Sequence, residues 1–386
     1  MWKHVASNAL TIFILVAAAM AAAIGLGRSQ WAGPGPLQEA AFFEVERGAS
    51  LRRISQDLDE AGIVSSAPVF RIGASYTDRA NDLKFGTYEI PPGSTMTQVL
   101  DILTTGGPSV LPYTVTYLVR PGGVGEYRLR ERRPGAGEAV ELAAFAAGDP
   151  VPEAYEALVS SEEPVTWRVA IAPGLTSWEV VEGLKGADFL EGEVAAVPEE
   201  GMLAPDTYDV SPGSDRAALV ARMGEVQERR LAQAWAERAP GLPVETPEEA
   251  LVLASIVEKE TGVASERALV ASVFVNRLED GMRLQTDPTV IYGITQGQGP
   301  LGRGIRASEL RAETPWNTYV ITGLPPTPIA NPGEAAIQAA LNPDRSDFIY
   351  FVADGTGGHA FAETLEEHNA NVAVWRAIEA QQSDDG

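Results

Sequence analysis

Few residues in this chain have the means to do acid–base or nucleophilic chemistry. It contains no cysteine and only three histidines, at positions 4, 359 and 368. Counting alone therefore excludes disulfides, a thiolate nucleophile, a thiolate zinc site and a histidine-rich metal centre. Carboxylates remain, and the sharpest arrangement of them is Glu258-Lys259-Glu260. Thr246-Pro247-Glu248-Glu249 reads as a helix start, with Thr as N-cap, Pro at the first position and Glu closing a capping box. The helix runs through Ala250 to Glu260, and Thr261-Gly262 stops it, with glycine supplying the C-terminal turn. Val257, Ile256 and Leu253 lie three, four and seven residues before Glu260, so this carboxyl shares an apolar face. It also sits at the helix C-terminus, where the dipole disfavours negative charge. In a buried site both effects raise its pKa towards what a general acid needs. Glu258 points elsewhere, over Leu251, Ala254 and Ser255.

A Glu-Lys-Glu at a helix end reads on its own as solvated surface, and the downstream segments change that reading. A second helix carries Ala268, Val270, Ala271, Phe274 and Leu278 on its packing face, with Asn276 and Arg277 beside them. Met282 to Val290 forms a polar loop containing Gln285, Thr286 and Asp287. Trp316-Asn317-Thr318-Tyr319 comes next, then the rigid Gly323-Leu324-Pro325-Pro326 run. Phe351-Val352 finally leads through glycines to His359 and Phe361. Amides, a hydroxyl-bearing aromatic and a tryptophan suit a saccharide, which offers both hydroxyls and apolar ring faces. The candidate set is Glu260 as acid/base, with Asn276, Gln285, Asp287, Asn317, Tyr319 and His359 as sugar contacts. Asp287 has a rival role as hydrolase partner of Glu260, and Asp-Pro-Thr is also an ordinary turn. Asn276, Gln285, Asn317 and Tyr319 have loop-bracing as their alternative, and His359 that of a satisfied structural histidine. No metal and no organic cofactor are expected.

These groups need a scaffold, and 386 residues are enough for two or three domains. The net charge of −24 argues against nucleic acid, which needs a basic face. Val5 to Gly27 carries no charge and is long enough to cross hydrocarbon as a helix. Lys3 before it favours a cytoplasmic N-terminus. A cleaved signal peptide ending near Ala21-Ala22-Ala23 is the alternative, and either reading exports the rest. The expected organisation is an anchor at 1–28, a stalk at 29–41, strand/helix units at 42–110 and 165–222, a catalytic domain at 223–380 and a disordered tail at 381–386. The two units rest on an internal repeat. Gly86-Thr87-Tyr88-Glu89-Ile90-Pro91-Pro92-Gly93-Ser94 is matched by Asp206-Thr207-Tyr208-Asp209-Val210-Ser211-Pro212-Gly213-Ser214, each a strand, a Pro-Gly turn and Ser as N-cap. Val45 to Ser50 is matched by Ile171 to Thr176 ahead of each first helix. Between the units, 111–164 is read as an irregular insert bearing Arg128, Arg130, Arg132 and Arg133. It is either a contact for an anionic wall polymer or a solvated hairpin of alternating charge.

The C-terminal motifs in this order resemble the YceG-like family of endolytic murein transglycosylases, from Ala254 to Thr261, Val273 to Leu278, Leu284 to Gly293, Asn317 to Tyr319 and Gly323 to Pro326. The match covers roughly Phe42 to Arg376 apart from the arginine-bearing insert. The resemblance implies an α+β fold: an N-terminal transmembrane helix, two LysM-like strand/helix units and a C-terminal mixed α+β catalytic domain. It implies a single-pass protein of the cell inner membrane with its bulk in the periplasm. It further implies cleavage of nascent peptidoglycan between MurNAc and GlcNAc to leave 1,6-anhydro-MurNAc ends, with Glu260 as the lone catalytic residue, and association with peptidoglycan synthases. A hydrolytic muramidase using Glu260 with Asp287, or a non-catalytic peptidoglycan-binding scaffold, are the competing expectations.

Overall fold

The computed structural model of the chain describes residues 2–106, 109–161 and 163–384. It divides into two compact units, one comprising Met1–Thr114 with Arg130–Leu142 and Ser161–Val165, the other comprising Val115–Leu129, Ala143–Ser160 and Thr166–Gly386.

The first unit begins with α1 (Trp2–Ala32), whose stretch Leu10–Ala32 is long and apolar enough to cross a membrane, with a mean hydropathy of 2.4. The helix runs past the expected anchor boundary and takes up part of the expected stalk. Trp31 and Leu37 pack on the core of the neighbouring strand/helix unit, so these residues are not a free spacer. That unit consists of β1 (Ala41–Val45), α2 (Leu51–Glu60), α3 (Ala67–Tyr76), β2 (Gly86–Ile90) and α4 (Met96–Thr105). β1 and β2 pair antiparallel, with Phe43 opposite Tyr88. One face of each element (Phe43, Val45, Ile54, Leu58, Phe70, Ile90, Leu100) closes a buried core.

The segment expected to be irregular is ordered sheet instead. β3 (Tyr113–Arg120), β4 (Val124–Glu131) and β5 (Val140–Ala146) are succeeded by α5 (Glu153–Val159). Alternating burial explains the strands: Val115, Tyr117, Val119, Tyr127 and Leu129 face a core while their neighbours face outward. The arginines take the solvent side, paired to Glu126 (Arg128, 2.6 Å), Glu141 (Arg130, 3.9 Å), Glu89 (Arg132, 3.0 Å) and Glu131 (Arg133, 3.1 Å). β6 (Val165–Ile171), α6 (Ser177–Lys185), β7 (Leu190–Glu191), β8 (Thr207–Val210), β9 (Ser214–Asp215) and α7 (Arg216–Ala236) come next. β8 joins β6 antiparallel at the edge of a sheet ordered β5-β4-β3-β6-β8.

The repeated segments share backbone as well as sequence. Gly48 and Gly174 precede the two first helices at φ 82° and 80°, and Gly93 and Gly213 turn the two strands at 66° and 82°. These left-handed values are open to glycine at little cost. The N-caps lie one residue later than the repeat suggested: Thr95 caps α4 and Asp215 caps α7. Ser94 donates to Pro91 O at 2.7 Å and Ser214 accepts from Ser211 N at 3.0 Å, so both serines close the turn rather than cap the helix.

The remainder is α8 (Pro247–Glu260), α9 (Arg267–Glu279), α10 (Asp287–Thr295), α11 (Glu334–Leu341), β10 (Tyr350–Ala353), β11 (His359–Ala362) and α12 (Leu365–Asp384). α8 is the hub, with Ala250 to Val257 buried among residues of α9 and α11. Thr246 caps it as expected, accepting from Glu249 N at 3.2 Å. Glu249 turns instead to Glu245 N at 2.6 Å, so the box is not reciprocal. Thr261, extended at φ −138° and ψ 130°, ends the helix rather than a left-handed Gly262. The expected tail is helical through Asp384, while 385 and 386 lie outside the described residues.

Candidate active site

Glu260 is the last residue of α8, and its neighbour Glu258 has a different occupation. Glu258 Oε2 accepts the N–H of Gly333 at 3.0 Å, where α11 begins. Its carboxyl holds one helix end against another. Glu260 lines a cleft of about 300 Å³ with Thr261, Gly358, His359 and Trp375. Its Oε1 accepts a hydrogen bond from the Thr286 hydroxyl. Burial pushes the Glu260 carboxyl above the usual carboxylate range, and the negative charge of Asp287 adds to this. The Thr286 hydrogen bond, His359 and Arg277 pull the other way. A carboxyl of raised proton affinity in a cleft, with one oxygen held and the other open, is suited to donate a proton.

Thr286 is itself placed at some cost. It is the N-cap of α10, yet its side chain makes no capping bond and its hydroxyl donates to Glu260. Its own N–H is bonded by Thr318 Oγ1 at 3.0 Å, and Thr289 Oγ1 lies 2.9 Å from the same oxygen. All three threonines are buried. The residue before them, Gln285, is exposed and left-handed at φ 50°. This conformation is unfavourable for a side-chain-bearing residue and is held by its N–H to Thr318 O at 3.2 Å. Arg277 ties the approach to this loop, donating to Leu284 O and Ile349 O, both at 2.6 Å. Burial lowers the proton affinity of that guanidinium.

The remaining candidates fall into two groups. Asp287, the first residue of α10, accepts from Tyr319 OH at 2.7 Å, and burial with this bond raises the phenol pKa. Asp-Pro-Thr here is a helix start, with Pro288 in the first turn, not an isolated turn. His359 opens β11 beside Glu260. Asn276 and Asn317 have their amide protons committed to backbone: Asn276 to Ser346 O and Phe348 O at 2.8 and 2.9 Å, Asn317 to Glu309, Leu310 and Ala312 carbonyls at 2.7–3.2 Å.

Trp316 faces a separate cavity of about 830 Å³, lined also by Glu200, Tyr292, Leu251 and Pro328. The tryptophan at the Glu260 cleft is Trp375, on α12. Reasoning from sequence missed Trp375, Thr286 and Glu266, a partner of His359. Thr286 stands inside the same polar loop as Gln285 and Asp287, so adjacency to them was a usable signal. Trp375 and Glu266 carried none, since both reach the cleft through long-range packing. No group of metal-ligating side chains is found among the described residues.

A family model described as the YceG-like family matches residues 43–121 and 144–374. The unmatched stretch between them holds the four arginines of the hairpin. An endolytic murein transglycosylase of Streptococcus pneumoniae is 30% identical over 338 residues, covering 85% of this chain and 57% of that protein. One of Bacillus subtilis is 36% identical over 172 residues, 45% of this chain and 46% of that protein. The chain thus spans about half the length of the curated relatives it matches. A crystal structure of a YceG-like protein from Listeria monocytogenes superposes on 86% of this chain and 99% of its own, at 25% identity and a TM-score of 0.43.

Proposed function

The chain belongs to the YceG-like family, and from that premise we propose that it is a lytic transglycosylase cutting peptidoglycan glycan strands endolytically, with Glu260 as its acid and base. The observation that carries this is the state of Glu260: a carboxyl of raised proton affinity, on a rigid helix end, in an open cleft. The curated relatives from Streptococcus pneumoniae and Bacillus subtilis supply the reaction class.

In this mechanism Glu260 gives its proton to the oxygen joining MurNAc to GlcNAc as the C1–O bond breaks. The sugar develops oxocarbenium character, and Thr286 stabilises the carboxylate left behind. The MurNAc C6 oxygen then bonds to C1, and its proton returns to Glu260. One bond breaks, one forms, the catalyst is restored and no water is consumed. A second carboxylate is not needed, which distinguishes this route from the paired-acid hydrolases. Asp287, held by Tyr319, acts here through its charge, which adds to burial in raising the proton affinity of Glu260. Gln285, Tyr319 and His359 are proposed as sugar contacts, with Asn276 and Asn317 as braces of the loops that carry them.

The helix α1 would anchor the protein in the inner membrane with the bulk of the chain in the periplasm. The βααβ arrangement of the first unit and its shortened repeat at β6–β8 would serve as LysM-like glycan-holding units. Association with peptidoglycan synthases would place the cut on strands as they emerge. Mass spectrometry of the products of wild type and Glu260→Gln on isolated glycan strands tests the core of this reading. Anhydro ends from wild type and none from the variant are expected. Reducing ends, or cleavage by the variant, would overturn it.

A further inference from the structure

A carboxylate without a role in the proposed mechanism stands behind the cleft. Glu266 occupies the N-cap position of α9 but makes no capping bond. Glutamate is a poor choice for that position. Its side chain goes instead to His359: Oε1 accepts the backbone N–H at 3.1 Å, and Oε2 lies 2.9 Å from Nδ1. Such an approach needs Gly358, because a Cβ there would fall 2.5 Å from Glu266 Oε1. Phe351 meets the imidazole edge-to-face at 5.2 Å and Phe361 closes another side at 6.3 Å. Two bonds to one carboxylate and two aromatic walls fix the ring. The pair is mostly buried, with side-chain exposures of 16% and 20%.

The chemistry of the contact sets the proton. An ionised carboxylate only accepts, so the nitrogen facing it carries hydrogen. In the neutral ring the lone pair then lies on Nε2, which makes no hydrogen bond among the described residues. His359 lines the same cleft as Glu260. We infer that Glu266 is a positioning residue, holding His359 as the Nδ1–H tautomer so that Nε2 accepts a hydrogen bond from a hydroxyl of the sugar seated beside Glu260. The identity of the ligand rests on the proposed transglycosylase reading, whereas the tautomer rests on geometry alone. Thr286 shows the same device, since in both places an N-cap side chain is withdrawn from its own helix and turned to the site.

The test uses the full chain in detergent with 15N-labelled histidine, at a pH where the ring is neutral. The three imidazoles are assigned by single substitutions. Wild-type His359 should show the Nδ1–H pattern, and an Nε2–H pattern would overturn the inference without any variant. In Glu266→Gln one amide oxygen must serve two donors, so the tautomers should mix, and an unchanged pattern would count against the role. Cleavage of glycan strands by Glu266→Gln should fall on the order of 10–100-fold, as for other groups that orient a working histidine. In a His359→Ala background the same substitution should cost nothing further. Losses that add in full would make Glu266 merely structural. If wild type releases no anhydro ends, the proposed function fails while the tautomer result still stands.

Discussion

Two carboxyls of the second unit, Glu260 and Glu200, are both held above the usual carboxylate range by burial, and they differ in what their oxygens have left to give. Glu200 is pushed up to about 7. Its Oε1 accepts from Ser177 N at 2.8 Å and its Oε2 from Tyr292 OH at 3.3 Å. Protein groups therefore occupy both oxygens, and the acid works as a joint between α6 and α10. Glu260 has one oxygen held by a hydroxyl and lies open to a cleft. A raised pKa alone thus does not mark a catalytic acid, although it directs attention to one. The larger cavity belongs to Glu200 and the smaller one to Glu260, so size is no better a guide.

The largest expected effect separates the two directly. Glu260→Gln should lower strand cleavage on the order of 10²–10⁴-fold, the ordinary worth of a general acid. Glu200→Gln should leave it within a few-fold. A product assay that found the reverse would exchange their roles. Next in size is a pH-dependent stability difference at Glu200. Its proton affinity is higher folded than unfolded, so its contribution is full below about 4.5 and is lost as pH rises through about 7. Wild type should lose about 3 kcal/mol relative to Glu200→Gln across that window. Denaturant titrations of both proteins at several pH values would reveal a flat difference if the carboxyl is not so perturbed. Smaller and opposite in sign are two changes beside Glu260. Thr286→Val removes a bond that favours the carboxylate, so the alkaline limb of the pH–rate profile should move up, with roughly tenfold lower activity. Asp287→Asn removes a like charge, so the same limb should move down. Shifts in one direction for both would mean that the profile reports another group.

Much of this site was legible along the chain because its parts are local. Thr246, Pro247 and the apolar run to Val257 specify α8 by capping and periodicity, and Glu260 is reached by counting turns. The same local logic placed a helix over Ala268 to Leu278, which lies within α9. It misread 111–164, where a strand looked irregular because its outward face carries Glu126, Arg128 and Arg130 while its inward face carries Tyr127 and Leu129. It also misplaced two caps by one residue, since serine can close a turn as readily as cap a helix.

Sequence by itself determined the candidate acid, the apolar helix that carries it, the long apolar stretch near the N-terminus and the repeated strand-turn-helix pattern, because each depends on residues within a few positions of one another. Only the tertiary structure decided which tryptophan meets the cleft, that Thr286 serves Glu260 rather than its own helix, and that Glu266 holds His359 from 93 positions away. A carboxyl's work depends on which donors reach it. Those donors arrive from helices and strands far apart in the chain, brought together only when their apolar faces are buried in a common core.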